Sequence, residues 1–463
     1  MPLSGVAQTS LLSLTKKNVT EKQLTGNNST VKSSTKRANA DFLSQHWQQP
    51  IQAVLPTTSN NVSENKSQTF TAQACAACHP QKFIDWQGSL HADAMSVGVM
   101  VQLKMLSPHG LAKHYLNDKG CMHCHAPTKT QQDSLLNSLN DFVEESTDNS
   151  VKRAVTKVKG KLHQQGVVCI ACHVRNEHWF GPGSSNKSSV SKEIISLGHP
   201  KSQANSAFQS AQFCSNCHQF PPDGPSLSGK LIQNTFNEWQ ASQFSEQGVS
   251  CQNCHMPEKR HLFRGIHNKD MVLSGLKIQS EFSKKLILTQ NKSAVPKPEL
   301  KPELKPEFKQ NIEASLTIKN TGVGHHFPTY VTPRVILRGY QIDNKGVMLE
   351  QSLLEYEIMR AVSLDLSDEY FDSRLAAGES YRFDYQQATL ANAMQFVFTI
   401  TIDPDYFYQQ FFTELLTQNI ENIEQNPPSN KAKSREIIEL LEQAKAKTDN
   451  SSYLLFSKKF PLH

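Results

Sequence analysis

Five short motifs each place two cysteines and a histidine at the spacing C-x-x-C-H. The cysteines pair as Cys75/Cys78, Cys121/Cys124, Cys169/Cys172, Cys214/Cys217 and Cys251/Cys254, and the histidines that follow them are His79, His125, His173, His218 and His255. With 10 cysteines and 18 histidines in 463 residues, chance predicts roughly 0.008 such matches. No cysteine is left outside a motif. The five motifs therefore share one chemistry.

That chemistry is the covalent attachment of c-type haem. One helical turn presents two thiols to the vinyl groups on one porphyrin edge, and the next residue extends its imidazole to the iron as the proximal ligand. Structural zinc sites take four ligands, so each would need two of the two-cysteine units, and five identical units cannot be paired without one left over. A thioredoxin-like redox motif occurs once and does not need the histidine. The sequence thus predicts five c-type haems, with zinc binding and disulfides as minor alternatives.

Composition and haem chemistry limit the classes of partner and the cellular location that we expect. The net charge of +6 is too weak and too scattered to indicate a nucleic-acid partner. No apolar run is long enough for a transmembrane helix. Thioether-linked haem is attached outside the cytoplasmic membrane, so we expect a periplasmic, extracellular or cell-surface protein. Residues 1–20 contain no visible signal peptide, which would then be missing or lie upstream.

The spacing of the motifs predicts one haem domain. Residues 1–66 are polar and are predicted to be disordered. The first cysteines of successive motifs are 46, 48, 45 and 37 residues apart, which is too little chain for five independent cytochrome folds. We therefore expect residues 67–272 to form a single pentahaem domain of short helices and loops, in which the packed haems serve as the core.

The rest of the chain has a different pattern. Residues 273–405 are predicted to form a small antiparallel β-sandwich-like domain, with a Pro/Lys/Glu-rich insertion at 296–309. Its expected strands are Glu313–Lys319, Arg334–Ile342, Val347–Leu354, Tyr381–Tyr385 and Gln395–Ile402. Residues 406–463 are predicted to be helical, with helices at Phe407–Asn419 and Ser434–Lys447. The predicted fold class is α+β: a helical, loop-rich haem domain, a β-sandwich-like domain and C-terminal helices.

An internal repeat points to one further ligand. Residues 83–91 match residues 236–244, with Phe and Trp three positions apart in both copies, as one helical face requires. The last position is His91 in the first copy and Phe244 in the second. We interpret His91 as a distal iron ligand; the alternative is that both helices only pack aromatic rings on porphyrin faces.

Thirteen histidines remain besides the five proximal ones and could supply the distal ligands of the irons. The candidates are His91, His178, His199, His261, His267 and His325. We expect His46 and His463 to lie in tails without a role and His123 to lie on the surface. Distal ligation separates two functions, because an iron with six ligands only exchanges electrons, whereas an open position permits substrate chemistry.

The residues in and around the motifs resemble those of the multihaem c-type cytochromes related to the tetrahaem cytochrome of ammonia oxidisers and to hydroxylamine oxidoreductase. The resemblance covers residues 66–340. Its segments are Cys75-Ala-Ala-Cys78-His79-Pro80 with Trp86, Ser89 and His91, then Gly166-Val167-Val168-Cys169, Gly248–Pro257 and Gly324-His325-His326-Phe327-Pro328-Thr329. It implies that His91, and more weakly His325, are distal ligands.

The chain also departs from this group. Tyr330 stands where a glycine often follows the last segment. There is no C-x-x-C-K unit, so the lysine-ligated catalytic haem of pentahaem nitrite reductase is missing. Five motifs also fall short of the eight haems of hydroxylamine oxidoreductase. These departures weigh against an enzyme.

We therefore expect an electron carrier more than a catalyst. The main hypothesis is a five-haem relay in a respiratory chain, with other redox proteins as partners: quinol oxidases, cytochromes or terminal reductases. The alternative is a haem-dependent reductase or oxidase of small nitrogen or sulfur oxyanions at one five-coordinate haem. A third hypothesis is a haem-bearing module that mainly docks partners through its β-domain. The sequence does not define the oligomeric state.

Overall fold

The computed structural model describes residues 27–48, 51–52, 71–96, 98–100, 120–135, 162–176, 178–183, 202–289, 307–425 and 431–463. Within them the chain forms a helical, loop-rich part, then a β-part, then two C-terminal helices and a final strand. The predicted α+β fold class is confirmed. None of the helices in this described portion has the length and apolar character needed to cross a membrane.

Short helices make up most of the first part. In the described ranges they are α1 Asn27–His46, α2 Ala72–Ala76, α3 Pro80–Gln87, α4 Met122–His125, α5 Cys169–His173, α6 Gln212–His218, α7 Thr235–Gln240, α8 Gln243–Glu246, α9 Cys251–His255 and α10 Lys269–Gly275. Proline and glycine set some of the ends, as where α3 starts at Pro80 and stops before Gly88. Small strands lie between them: β1 Val174–Arg175, β2 His178–Gly181, β3 Ser202–Ala204, β4 Ser226–Leu227 and β5 Lys230–Leu231.

The described residues of this part form only a thin apolar core. Two small buried clusters are formed, one by Met95, Val99, Met100, Met122, Ala126 and Leu135, the other by Ala72, Trp86, Val168, Ile170, Ala171 and Val174. A core this small is expected where bound cofactors complete the interior.

Two antiparallel sheets form the β-part. Its strands are β6 Leu276–Thr289, β7 Glu307–Asn320, β8 Arg334–Ile342, β9 Leu354–Ile358, β10 Arg360–Val362, β11 Glu369–Asp372, β12 Ser380–Ala388, β13 Gln395–Asp403 and β14 Tyr453–Pro461. The strand orders are β12-β7-β6 in one sheet and β14-β13-β8-β9 in the other, and β10 pairs with β11 in a separate ribbon.

Alternate residues of the two sheets meet in one core. On β7 the buried apolar side chains are Ile312, Ala314, Leu316 and Ile318, and on β13 they include Phe396, Phe398, Ile400 and Ile402. Both sets follow the two-residue period of a strand, so each sheet turns one face to the other. This is the packing of a β-sandwich.

The C-terminal region differs from its helical prediction in one element. Helices α11 Tyr406–Gln425 and α12 Lys431–Asp449 pack on each other through Phe412, Leu415, Leu441 and Ala444. The chain then returns to the sandwich as β14, which pairs with β13. The wholly helical prediction for 406–463 is wrong at this strand, because its Ser457-Lys458-Lys459 segment breaks the apolar alternation on an exposed edge.

Three other expectations also differ from the structure. Residues 27–46 of the segment predicted to be disordered form α1, whose last turn buries Leu43 and His46. The strand predicted at 347–354 begins only at Leu354, because residues 350–352 form a 3₁₀ turn. Residues 307–309 of the predicted insertion already belong to β7, and its remaining residues lie outside the described ranges.

One buried arginine ties the two parts together. The side chain of Arg360 on β10 is 1% exposed and donates to the carbonyl oxygens of Leu231 at 2.7 Å and Lys230 at 2.9 Å. Its Nε also donates to Glu369 at 2.7 Å. The carboxylate balances the buried guanidinium charge, and the carbonyls fix the β4–β5 hairpin on the β-part.

Candidate haem-binding site

Each C-x-x-C-H motif lies on a single helical turn. The N–H of His79 donates to the carbonyl oxygen of Cys75 at 2.9 Å, and the N–H of His125 donates to that of Cys121 at 3.0 Å. In the other motifs the helices α5, α6 and α9 end at the motif histidine. All ten cysteines are free of disulfides. The turn therefore directs the two thiols and the imidazole toward one side, as attachment of a c-type haem requires.

Backbone carbonyls hold the Nδ1 atoms of three motif histidines. His173 Nδ1 lies 2.8 Å from the Phe180 carbonyl oxygen, and His255 Nδ1 lies 2.6 Å from that of Arg264. His125 Nδ1 makes the same kind of contact with the Ala94 carbonyl oxygen. A proton on Nδ1 leaves Nε2 as the nitrogen that can bind a metal, and the hydrogen bond fixes the ring orientation.

The fourth motif uses a side chain instead. His218 Nδ1 lies 2.7 Å from the phenol oxygen of Tyr330, in the loop before β8. Gln233 Nε2 also donates to this phenol, at 3.3 Å. Tyr330 is the residue at which the sequence departs from the group that it resembles.

Three motif histidines face a second histidine at the separation expected for two ligands of one iron. The ring centroids are 6.1 Å apart for His173 and His261, 6.2 Å for His218 and His91, and 6.4 Å for His255 and His325. Two imidazoles on opposite sides of one iron have centroids about 6 Å apart, since each metal–nitrogen bond is about 2 Å long. The residues present thus fit bis-histidine haem at these three motifs.

Burial keeps the paired histidines in the form that binds a metal. It lowers the pKa of His91 to about 3 and the pKa values of His218, His261 and His325 to about 4. A neutral imidazole offers a nitrogen lone pair, whereas a protonated one does not.

The other distal candidates are placed elsewhere. His178 is exposed at the start of β2, and its nearest described ring is that of Phe180, at 6.4 Å. His267 Nε2 lies 2.9 Å from Oδ2 of Asp405, the residue before α11. Neither pairs with a motif histidine in the described ranges. His199 lies outside the residues that the structure describes.

Two histidines that we expected to be peripheral lie against the motifs. His46 is 3% exposed, and its Nε2 contacts the Cys172 carbonyl oxygen at 2.9 Å. His123 is half-buried, with Nε2 3.2 Å from the Asn216 carbonyl oxygen of the fourth motif. The tail and surface interpretations were therefore wrong, since α1 folds back and the second motif packs on the fourth. His463 lies in the β-part, with its Nε2 2.9 Å from the Ala393 carbonyl oxygen.

Zinc fits the site poorly. Within the described residues, the His/Cys/Asp/Glu group compact enough for a metal ion is His123, Cys124 and Cys217, whose ligand atoms lie within 4.8 Å of one another. It takes ligands from two motifs only, whereas five motifs of the same type call for five equivalent sites.

The two copies of the internal repeat make the same contacts. Trp86 Nε1 donates to the Val167 carbonyl oxygen at 2.7 Å, and Trp239 Nε1 donates to that of Val249 at 2.9 Å. Each acceptor lies two residues before the first cysteine of a motif, the third and the fifth. The tryptophans thus fix the start of these two motifs.

The carboxylates of the repeat support the paired histidines. Asp85 Oδ2 accepts a hydrogen bond from the N–H of His261 at 3.0 Å, and Glu238 Oε2 accepts one from the N–H of His326 at 3.2 Å. His326 directly follows His325. Both carboxylates are buried, with 1% and 2% of their side chains exposed. The repeat is visible in the sequence, but this role of its acidic position is not.

Close packing at a glycine positions His91. Gly166 has a φ of +61°, and a Cβ there would lie 2.3 Å from the His91 carbonyl oxygen. The same carbonyl accepts a hydrogen bond from the N–H of Val167 at 2.8 Å. The chain that leads into the third motif therefore holds the backbone of the histidine that faces the fourth.

Contacts between thiols show which motifs are neighbours. In three pairs of cysteines from different motifs, the thiols lie close enough to shift each other's pKa: Cys75 with Cys169, Cys124 with Cys217, and Cys214 with Cys251. The Cys172 thiol interacts electrostatically with those of Cys214 and Cys217. The first motif therefore adjoins the third, and the fourth adjoins the second, third and fifth.

One protein family matches part of the chain. Its description is outer membrane cytochrome MtrC/MtrF-like, domains II/IV, and its family model matches residues 105–268, about a third of the chain and four of the five motifs. No curated protein matches the sequence. The motifs, the geometry of their histidines and this match support a multihaem c-type cytochrome, whose haems carry electrons.

Two solved structures are similar at a distance. A penta-haem cytochrome c552 from Thermochromatium tepidum has 16% identity and a TM-score of 0.47, with 85% of this chain and 98% of that chain covered. The Northeast Structural Genomics Consortium target SoR45 has 13% identity and a TM-score of 0.14, with 27% of this chain and 72% of that chain covered.

Proposed function

We propose that this chain binds five c-type haems and serves as an electron-transfer protein in a respiratory chain. The observation that carries the proposal is the set of three histidine pairs with ring centroids 6.1–6.4 Å apart, each with one member in a C-x-x-C-H motif. A bound haem iron with two histidine ligands takes up and passes on single electrons without an open position for substrate.

Each pair supports the assignment of one distal ligand. His261 is the distal ligand at the third motif, His91 at the fourth and His325 at the fifth. The proximal ligands are the five motif histidines, and the ten motif cysteines form the thioether bonds. The anchored Nδ1 atoms support this assignment, because they leave Nε2 to bind the iron.

Contacts between neighbouring motifs support a branched arrangement of the sites. The thiol contacts support the order first, third, fourth, with the second and the fifth both next to the fourth. The histidines support the same order, since His173 interacts electrostatically with His79, and His218 with His125 and His255. The fourth motif is thus the junction of the proposed relay.

Two of the three ends of the arrangement, the first and the fifth motif, lie at the surface. Cys78 of the first motif and Cys254 of the fifth are exposed, whereas the other eight cysteines are half-buried. We place the exchange of electrons with partner proteins at these two motifs. Cytochromes, quinol oxidases and terminal reductases are the proposed partner classes.

The proposed location is outside the cytoplasmic membrane, in the periplasm or at the cell surface. Covalent haem attachment on that side of the membrane and the description of the matching family as outer membrane cytochromes support it. We also group the chain with the cytochromes related to hydroxylamine oxidoreductase, because the sequence segments around Cys75, Cys169 and Cys251 are similar to theirs.

A haem count tests the proposal most simply. The holoprotein is purified from a host that matures c-type cytochromes, and pyridine haemochrome absorbance is compared with the protein mass. We expect five haems per chain, all reducible by dithionite and reoxidised by a soluble cytochrome. Fewer than five haems, or zinc in their place, would contradict the proposal. Reduction of nitrite, hydroxylamine or tetrathionate would instead support a haem-dependent reductase or oxidase.

A further inference from the structure

A buried positive charge lies against the helical turn that carries the third motif. Arg175 on β1 is 8% exposed, and its guanidinium donates to the carbonyl oxygens of Val174 at 2.6 Å and Ala171 at 2.7 Å. It also donates to the carbonyl oxygen of Ile170 at 3.4 Å. Ile170 and Ala171 are the two residues between the cysteines of this motif. The charge is therefore fixed on the backbone of the C-x-x-C-H turn itself.

The end of α1 and the residue after it cover this charge. Arg175 Nε donates to the carbonyl oxygen of His46, and the centroid of the Trp47 ring lies 5.1 Å from the guanidinium carbon. An aromatic face attracts a cation but supplies no negative charge. The rings of Phe42 and Phe208 pack on His46, with centroids 4.9 Å and 5.6 Å from that of its ring. In such apolar surroundings a charge acts more strongly on its neighbours than it does in water.

Arg175 has no carboxylate partner among the residues that the structure describes. Two other arginines with buried side chains do have one: Arg360 pairs with Glu369 at 2.7 Å, and Arg374 pairs with Asp372 at 2.8 Å. Around Arg175 the acceptors are backbone carbonyls, which are dipoles without net charge. Burial lowers the pKa of its guanidinium to about 10, so the group stays protonated at neutral pH. A full positive charge therefore remains beside the third motif.

A positive charge stabilises the reduced state of a nearby haem, because reduction adds an electron to that site. We propose that Arg175 raises the reduction potential of the haem held by the third motif. The inference rests on the proposed function, because it requires a haem at Cys169, Cys172 and His173. In the proposed order the third motif follows the first. The charge therefore makes electron transfer from the first site to the third more favourable than it would be without Arg175.

Potentiometric titration of the holoprotein, followed by EPR, tests the inference. Arg175→Met removes the charge, so one of the five potentials should shift downward, and its EPR signal should be the one that changes in His261→Ala. Arg175→Lys keeps a positive charge, and at pH 6 it should leave the same potential close to that of the wild type. Arg382→Met is the matched control, because it removes one positive charge from a side chain on β12 that is 54% exposed and pairs with Asp384. It should shift no potential.

The outcomes separate the inference from the proposed function. Five haems with unchanged potentials in Arg175→Met would overturn the inference and leave the function standing. Equal downward shifts in Arg175→Met and Arg175→Lys would also overturn it, because the shape of the side chain and not its charge would then set the potential. A wild-type protein with fewer than five haems would contradict the proposed function itself.

Haem content and circular dichroism identify a variant that fails to fold or to bind the third haem. If Arg175→Met is such a variant, Trp47→Ala repeats the test. It keeps the arginine but admits water to the guanidinium, so the charge is screened and the same potential should shift downward. An unchanged potential in Trp47→Ala would then refute the role of Arg175.

Discussion

Asp85 and Glu238 occupy the same position in the two copies of the internal repeat, and each carboxylate accepts a backbone hydrogen bond at a paired histidine. Asp85 accepts from the N–H of His261 itself at 3.0 Å, and Glu238 from the N–H of the residue after His325 at 3.2 Å. The helix that carries each carboxylate also carries a tryptophan that fixes the start of the motif facing that histidine. One element therefore holds both sides of one proposed haem site. The chain uses this device twice, for the third and for the fifth motif.

Removal of one such carboxylate should loosen one distal ligand. In Asp85→Ala, Arg260 Nε loses its 2.6 Å hydrogen bond and the N–H of His261 loses its acceptor. We expect a loss of about 1–3 kcal/mol in the free energy of unfolding and a fraction of one iron in the high-spin state. EPR and urea unfolding measure the two effects. The control is Asp384→Ala, which removes an exposed ion pair with Arg382; equal spectra of the two variants would refute this role of Asp85.

Substitution of a distal histidine should open one iron. His261→Ala removes the ring 6.1 Å from His173, so one ferric signal should change from low spin to high spin and the protein should bind one equivalent of cyanide. His178→Ala and His267→Ala are the controls, because neither residue faces a motif histidine in the described ranges. The ligand assignment fails if His178→Ala or His267→Ala opens an iron while His261→Ala does not.

Loss of the fourth haem should affect more of the remaining haems than loss of the first. The double variant Cys214→Ala/Cys217→Ala removes the haem from a motif with three neighbours. The variant Cys75→Ala/Cys78→Ala removes it from a motif with one. Since an electron on one haem lowers the potential of its neighbours by Coulomb repulsion, three components should shift upward in the first variant and one in the second. Equal numbers of shifted components would contradict the branched order.

The β-sandwich should be sensitive to the loss of its buried aromatic side chains. Phe398 is fully buried between the sheets, so Phe398→Ala should lower the free energy of unfolding by about 3–5 kcal/mol through the cavity that it leaves. Leu286→Ala is the control, because Leu286 is 73% exposed. Urea unfolding followed by circular dichroism compares the two. A Phe398→Ala variant as stable as the control would show that this core contributes little.

Short sequence patterns predicted the features that depend only on neighbouring residues. A C-x-x-C-H motif contains its own turn and both of its bond-forming residue types, and the alternation on β7 and β13 predicts strands without knowledge of their partners. Pairing of distal histidines is different, since His261 meets a motif 88 residues earlier in the sequence. His178 and His267 have the same side chain, and only the tertiary fold places them away from the motif histidines in the described ranges.

The strand and the buried histidine that the sequence did not predict also depend on tertiary contacts. The edge strand β14 contains polar residues that break its pattern, and it is held by its pairing with β13. His46 is polar and follows a polar segment, but the rings of Phe42, Phe180 and Phe208 surround it. Asp85 and Glu238 stood at the same position of the repeat, which is the one sequence signal that could have indicated their shared role.

Low-temperature EPR of the ferric holoprotein, with cyanide titration, tests the central claim most directly. If the chain is a relay with two ligands on each iron, the haems give only low-spin signals and added cyanide changes no spectrum. A high-spin iron that binds cyanide in the wild-type protein would contradict the relay and favour substrate chemistry at an open haem.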